Sequence, residues 1–130
     1  MIEFRIARRG ALPAYLQIVE QTRRALENGW LTVGDQLPPA REVVSATGIN
    51  PNTVLKAYRE LERQGLVEGR VGTGTFVTAD LARLRSDLAS PLAVELRSWL
   101  DAAAESGLER HDVLVLVTTL LDEREREAVR

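Results

Sequence analysis

Cysteine is absent from this 130-residue chain, and histidine occurs once. Without thiols there is no disulfide framework and no thiolate metal site, and nothing points to an oxidising compartment. The lone histidine, His111, has only Glu109 and Asp112 near it in sequence, too little for a metal centre or an acid–base enzyme. His111 is therefore expected as a surface or interface residue, with no enzyme activity, metal or cofactor. Long apolar runs are missing too. The longest, Val113 to Val117, falls far short of a membrane span, and the N-terminus lacks a signal-type apolar core. A soluble, cytoplasmic chain without a membrane partner is the expectation.

An excess of positive charge is also lacking. Lys and Arg number 17 against 19 Asp and Glu, a net charge of −2, which at first argues against a nucleic-acid partner. The sum hides an asymmetry, because residues 1–79 hold 10 Lys or Arg against 8 Asp or Glu, whereas residues 80–130 hold 7 against 11. The front of the chain is the electropositive part, and local placement rather than total charge sets phosphate contacts.

What is present is an ordinary globular composition, 45% hydrophobic and 28% charged, with room for one domain and an appendage. The most informative stretch runs from Gly48 to Gly65. Val54, Ala57 and Leu61 recur at helical spacing as a buried stripe, while Asn52, Lys56, Arg59 and Arg63 repeat on another side. Asn50 suits the N-cap, Pro51 the first helical position and Gly65 the left-handed residue past the end, so a helix of about 14 residues is predicted. Its beginning carries Asn50, Asn52, Thr53 and Lys56 beside free backbone N–H groups. Those groups suit phosphate and base edges, as in a recognition helix; the plain alternative is a well-capped solvated face.

Upstream, residues 2–6 alternate apolar and charged and read as a short edge strand or an ordered arm; Arg8 and Arg9 follow, either as backbone-touching cations or as a flexible basic terminus. A first helix is predicted from Pro13 to Asn28, its core positions Leu12, Tyr15, Leu16, Val19, Thr22 and Leu26, with Trp30, Leu31 and Val33 continuing the core across a turn. A second, short helix begins at Leu37-Pro38-Pro39 and runs to about Thr47, with Val43 and Val44 inward. Only Ile49 and Asn50 separate its stop, Gly48, from Pro51, which makes residues 40–59 a helix-turn-helix. Arg41, in the first turn of its leading helix, can reach a phosphate or a groove edge, or else pair with Glu42 or Asp35.

Downstream, residues 66–78 place two β-prone runs around Gly72-Thr73-Gly74, a hairpin directly after the helix-turn-helix and hence a wing. Gly72 and Gly74 let the tip approach a duplex, with Arg70 and Thr73 supplying charge and a hydroxyl. From Asp80 to Glu105 a long amphipathic helix is expected, kinked at Ser90-Pro91 or broken there and restarted with Ser90 as cap. A last helix spans residues 109–127. The tail's apolar positions Leu88, Leu92, Leu96, Trp99, Leu100, Val113, Leu116, Val117, Leu120 and Leu121 exceed what two helices can hide from water, so a second copy of the tail is expected to cover them.

The runs Pro13-Ala14-Tyr15-Leu16-Gln17-Ile18, Gly34 to Glu42, Asn50 to Glu62 and Gly72 to Val77 together resemble the DNA-binding domain of GntR-family bacterial transcription regulators. The Asn-Pro-Asn-Thr-Val start with a short two-helix tail is similar to the YtrA-type subfamily. The resemblance implies a homodimer on a palindromic operator in double-stranded DNA, usually a repressor, often of genes for ABC-type transporters. It also implies a DNA contact for Arg41, the arginine of the Leu-Pro-x-x-Arg motif, and wing contacts for Arg70, Gly72, Thr73 and Gly74. Arginines that many relatives carry on the recognition helix are replaced here by Pro51 and Leu55, so base reading shifts to Asn50, Asn52, Thr53 and Lys56.

The expected fold is mainly α with a small β-hairpin, an N-terminal winged helix-turn-helix followed by a C-terminal antiparallel two-helix dimerisation element. Residues 1–78 form the DNA-binding domain and residues 79–130 the tail. The competing function is a winged helix serving protein interaction without sequence-specific DNA binding, which heparin and duplex binding separate. The tail has no evident room for a small-molecule pocket within one chain, and no cofactor is expected.

Overall fold

The computed structural model describes residues 1–10 and 12–129. They form two compact units, Met1–Ser86 and the chain from Asp87 onward. The first unit begins with an extended arm and continues through α1 (Ala14–Glu27), α2 (Ala40–Thr47), α3 (Pro51–Arg63), β1 (Val67–Arg70), β2 (Gly74–Val77) and a short α4 (Leu81–Ser86). Its core gathers Ile18, Val19 and Leu26 from α1, Val43 from α2, Val54, Ala57 and Leu61 from α3, and Leu66, Val67 and Val77 from the hairpin. Thr22, buried among them, stays satisfied because its hydroxyl donates to the Ile18 carbonyl at 2.8 Å.

Residues 2–6 form no strand, although the alternation is real: Phe4 is buried, Ile2 and Ile6 are partly so, and Glu3 and Arg5 face water. They make the ordered arm instead, because their hydrogen-bonding partners are glutamine side chains of α1. Two further core expectations fail. Trp30 and Val33 are 72% and 58% exposed, since the chain leaves α1 through Gly29 (φ +73) and only Leu31 turns inward. Leu12 is exposed as well, lying just ahead of the first helical turn.

The hairpin pairs antiparallel, with Val67 opposite Val77 and Arg70 opposite Gly74. Residues 34–37 flank its other edge: Leu37 N–H donates to the Thr75 carbonyl and Val77 N–H to the Asp35 carbonyl, both at 2.8 Å. The wing is thereby fixed to the segment that leads into α2.

At Ser90-Pro91 the tail helix breaks rather than kinks. After α4 comes a 3₁₀ turn at Asp87–Ala89, and α5 (Pro91–Glu105) starts afresh with the Ser90 hydroxyl accepting the Ala93 N–H at 3.3 Å. Helix α6 (Arg110–Ala128) follows a turn at Gly107, with Glu109 N–H donating to the Asp112 carboxylate at 2.9 Å. This turn joins α5 to α6, and Ala103 is the buried residue of α5. Leu88, Leu92, Leu96, Trp99, Leu100, Leu116, Val117, Leu120 and Leu121 are all exposed, and Val113 is half-buried. No helix among the described residues is long and apolar enough to cross a membrane.

Candidate nucleic-acid interface

The turn between α2 and α3 is built from local chemistry. Gly48 takes φ +74 and donates its N–H to the Val44 carbonyl at 2.8 Å, ending α2 with a left-handed residue that costs little only for glycine. Two residues later Asn50 caps α3, its side-chain oxygen accepting the Asn52 N–H at 2.8 Å. Pro51 occupies the first helical position, where a missing donor is harmless.

From that start α3 divides its faces as its spacing dictates. Val54, Ala57, Tyr58 and Leu61 are buried; Asn52, Leu55, Lys56 and Arg59 are exposed, and Thr53 is half-buried. The Asn50 oxygen is committed to the cap, leaving its amide NH₂ outward. Asn52 has no side-chain hydrogen bond among the described residues, so its carbonyl oxygen and NH₂ stand open together, the donor–acceptor pair that an adenine edge matches. Lys56 lies with Nζ 4.0 Å from the centre of the Tyr15 ring, a cation held over an aromatic face on α1. Arg63, on the same side but at the far end, is spent on Glu60 through Nε at 2.8 Å.

Arg41 stands exposed in the first turn of α2, and no ion pair ties it to a described residue. The pairing with Asp35 is not made, because Asp35 accepts the Thr32 N–H at 2.9 Å instead. What sets the position of Arg41 is not evident from periodicity. Tyr58 of α3 donates its hydroxyl to the Pro38 carbonyl at 2.6 Å, fixing the residue pair that opens α2. Burial, aided by the charge of Glu42, pushes the Tyr58 hydroxyl well above its usual pKa, so it stays a donor.

In the wing, Gly72 (φ +74) makes the tip and Thr73 N–H donates to the Arg70 carbonyl at 3.1 Å. The Arg70 guanidinium lies 4.7 Å from the Phe76 ring centre and 3.7 Å from the Glu68 carboxylate, so it is held along the hairpin. Gly74 takes φ +135, and a side chain there would meet Gln36, whose Nε2 donates to the Thr73 carbonyl at 3.3 Å. Sequence reasoning overlooked Gln36 and the fully exposed Val71 at the tip. Neither has a periodic partner to mark it.

Comparison with known proteins gives this arrangement relatives. Residues 14–77 match the model for bacterial regulatory proteins of the gntR family. The chain is 38% identical over 111 residues, 85% of its length and 91% of the relative, to the HTH-type transcriptional regulator YhcF of Bacillus subtilis. It is 43% identical over 70 residues, 54% of each chain, to the HTH-type transcriptional repressor YtrA of the same organism. Among solved structures, that of AraR(DBD) in complex with operator ORX1 shares 26% identity at a TM-score of 0.53, covering 60% of this chain and 100% of that one.

Proposed function

This chain belongs to the gntR family of bacterial regulatory proteins and is a DNA-binding transcriptional regulator, and we propose that it acts as a homodimeric repressor on a two-fold symmetric operator. The observation that carries the site assignment is the leading end of α3, where the Asn52 side chain is exposed and uncommitted while its backbone N–H is held by the Asn50 cap. Asn52 reads a base edge in the major groove. Asn50 and Thr53 border it, and Lys56 and Arg41 supply salt-dependent phosphate affinity. The wing, through Arg70, Gly72, Thr73 and Gly74, lies along the backbone or minor groove.

Residues 1–78 serve as the reader and residues 79–130 as the dimerisation tail, which sets the spacing of two identical half-sites. Similarity to a protein described as a repressor supports repression. The YtrA-type resemblance supports genes for ABC-type transporters as targets, in the cytoplasm where bacterial DNA lies.

Asn52→Ala tests the reading. A bidentate amide–adenine contact is worth about 1–3 kcal/mol of discrimination, so the variant is expected to lose roughly five- to 150-fold of its preference for operator over scrambled duplex. An unchanged preference in a gel shift removes Asn52 from the site.

A further inference from the structure

We propose that Arg8, on the N-terminal arm, is a phosphate-binding residue that grips the duplex backbone beside the turn of the helix-turn-helix. The inference rests on the DNA-binding reading above and adds a third element to the recognition helix and the wing.

The arm is anchored, not loose. Phe4 is buried in the core. Arg5 N–H donates to Gln21 Oε1 at 3.0 Å, and its carbonyl accepts from Gln21 Nε2 at 2.7 Å. Ala7 repeats the pattern with Gln17, at 2.8 Å in both directions. Gln17 and Gln21 are four residues apart on α1 and so lie on one face, where their amides act as a strand edge made of side chains. Gln17 also donates to the Leu12 carbonyl at 2.9 Å, closing the return of the chain into α1. The ordering cost of this segment is therefore met on folding rather than on binding.

That anchoring delivers Arg8 to a specific place. A methyl group on Gly48 would lie 3.3 Å from Arg8 Nη2, so the guanidinium rests against the turn, two residues before the cap of α3. Arg8 is exposed, and among the described residues it makes no ion pair and no side-chain hydrogen bond. If Asn52 enters a major groove, the strand bordering that groove passes this turn. An uncommitted guanidinium there presents a planar fork of donors suited to phosphate oxygens.

Because a phosphate contact is independent of sequence, the test needs no operator. Anisotropy of a labelled mixed-sequence duplex, titrated with the full chain between about 50 and 200 mM salt, reports affinity and its salt slope. Arg8→Gln is expected to bind about three- to tenfold more weakly, with the slope smaller by about 0.9 per protomer. Arg8→Lys restores the slope and part of the affinity. Gln17→Leu, which releases Ala7 at unchanged charge, reproduces part of the loss. Arg24→Gln makes the same charge change on the last turn of α1 and is expected to leave the slope unaltered. A wild-type slope in Arg8→Gln overturns the inference alone, as does an equal loss in Arg24→Gln, which would make net charge the cause. Failure of the wild-type chain to bind duplex at any salt takes down the DNA-binding reading and this inference together.

Discussion

Tyr58 links the helix that carries Asn52 to the helix that carries Arg41 by one buried hydrogen bond, to the Pro38 carbonyl at 2.6 Å. Tyr58→Phe keeps the ring and its packing but leaves a carbonyl of the buried Pro38 without that donor, a loss of about 1–3 kcal/mol. The pH dependence separates this bond from generic packing. Burial first, and the Glu42 charge second, raise the folded-state pKa above the usual 10.0, so the folded chain holds the proton that the unfolded chain releases. Stability from Tyr58 is thus complete below about pH 10 and lost progressively as pH rises above it. Thermal melts are expected to show Tyr58→Phe less stable near neutrality, with the gap to wild type narrowing above pH 10. A gap constant with pH would mean that the hydroxyl is not the cause. With α2 less firmly placed, the same variant is expected to weaken duplex binding at the Arg41 contact.

At the scale of elements, the wing depends on one backbone angle. Gly74 holds φ +135, a conformation L side chains rarely adopt, and its missing Cβ makes room for Gln36 to reach the Thr73 carbonyl. Gly74→Ala is expected to cost about 1–3 kcal/mol in backbone strain and to unseat Gln36 from the tip. Amide exchange across β1 and β2 should accelerate while α3 stays protected; uniform acceleration would indicate global destabilisation instead. The wing and the helix-turn-helix were legible because their determinants are local. Asn50, Pro51 and Gly48 write the turn, and Gly72 and Gly74 write the tip. The arm was half legible: residues 2–6 alternate apolar and charged, which fits an ordered arm with Phe4 buried, but no pattern reveals that Gln17 and Gln21 replace a neighbouring strand. Lys56 over Tyr15, Tyr58 on Pro38 and Arg8 beside Gly48 join positions 41, 20 and 40 residues apart, distances at which spacing carries no information. Trp30 misled for the opposite reason, since apolarity alone does not say which way a residue points after a glycine turn.

For the whole molecule, the apolar residues that α5 and α6 leave exposed favour two copies. On α6 Val113, Leu116, Val117, Leu120 and Leu121 share one broad side, and all but the half-buried Val113 are exposed, while α5 leaves Leu92, Leu96, Trp99 and Leu100 exposed as well. Monomers rarely leave contiguous apolar patches beyond a few hundred Å² to water, and a second copy of the same helix pair offers a complementary surface without new chemistry. A stripe this wide on each helix exceeds a single coiled-coil seam, which favours burial against two partner helices over one. Leu116→Glu with Leu120→Glu places four charges in the proposed interface of each dimer and is expected to yield monomers in sedimentation. Since the core of the first unit is built, among the described residues, from positions 4–77, each monomer should retain its winged helix and its contact with one half-site. What it loses is the linkage between half-sites, so affinity for the full operator should fall by about 10²–10⁴ while affinity for an isolated half-site is unchanged. Moving the half-sites by about 5 bp, half a helical turn, should weaken wild-type binding similarly yet leave the monomeric variant indifferent. A variant that stays dimeric, or a wild type insensitive to that phasing, would detach the tail from operator recognition.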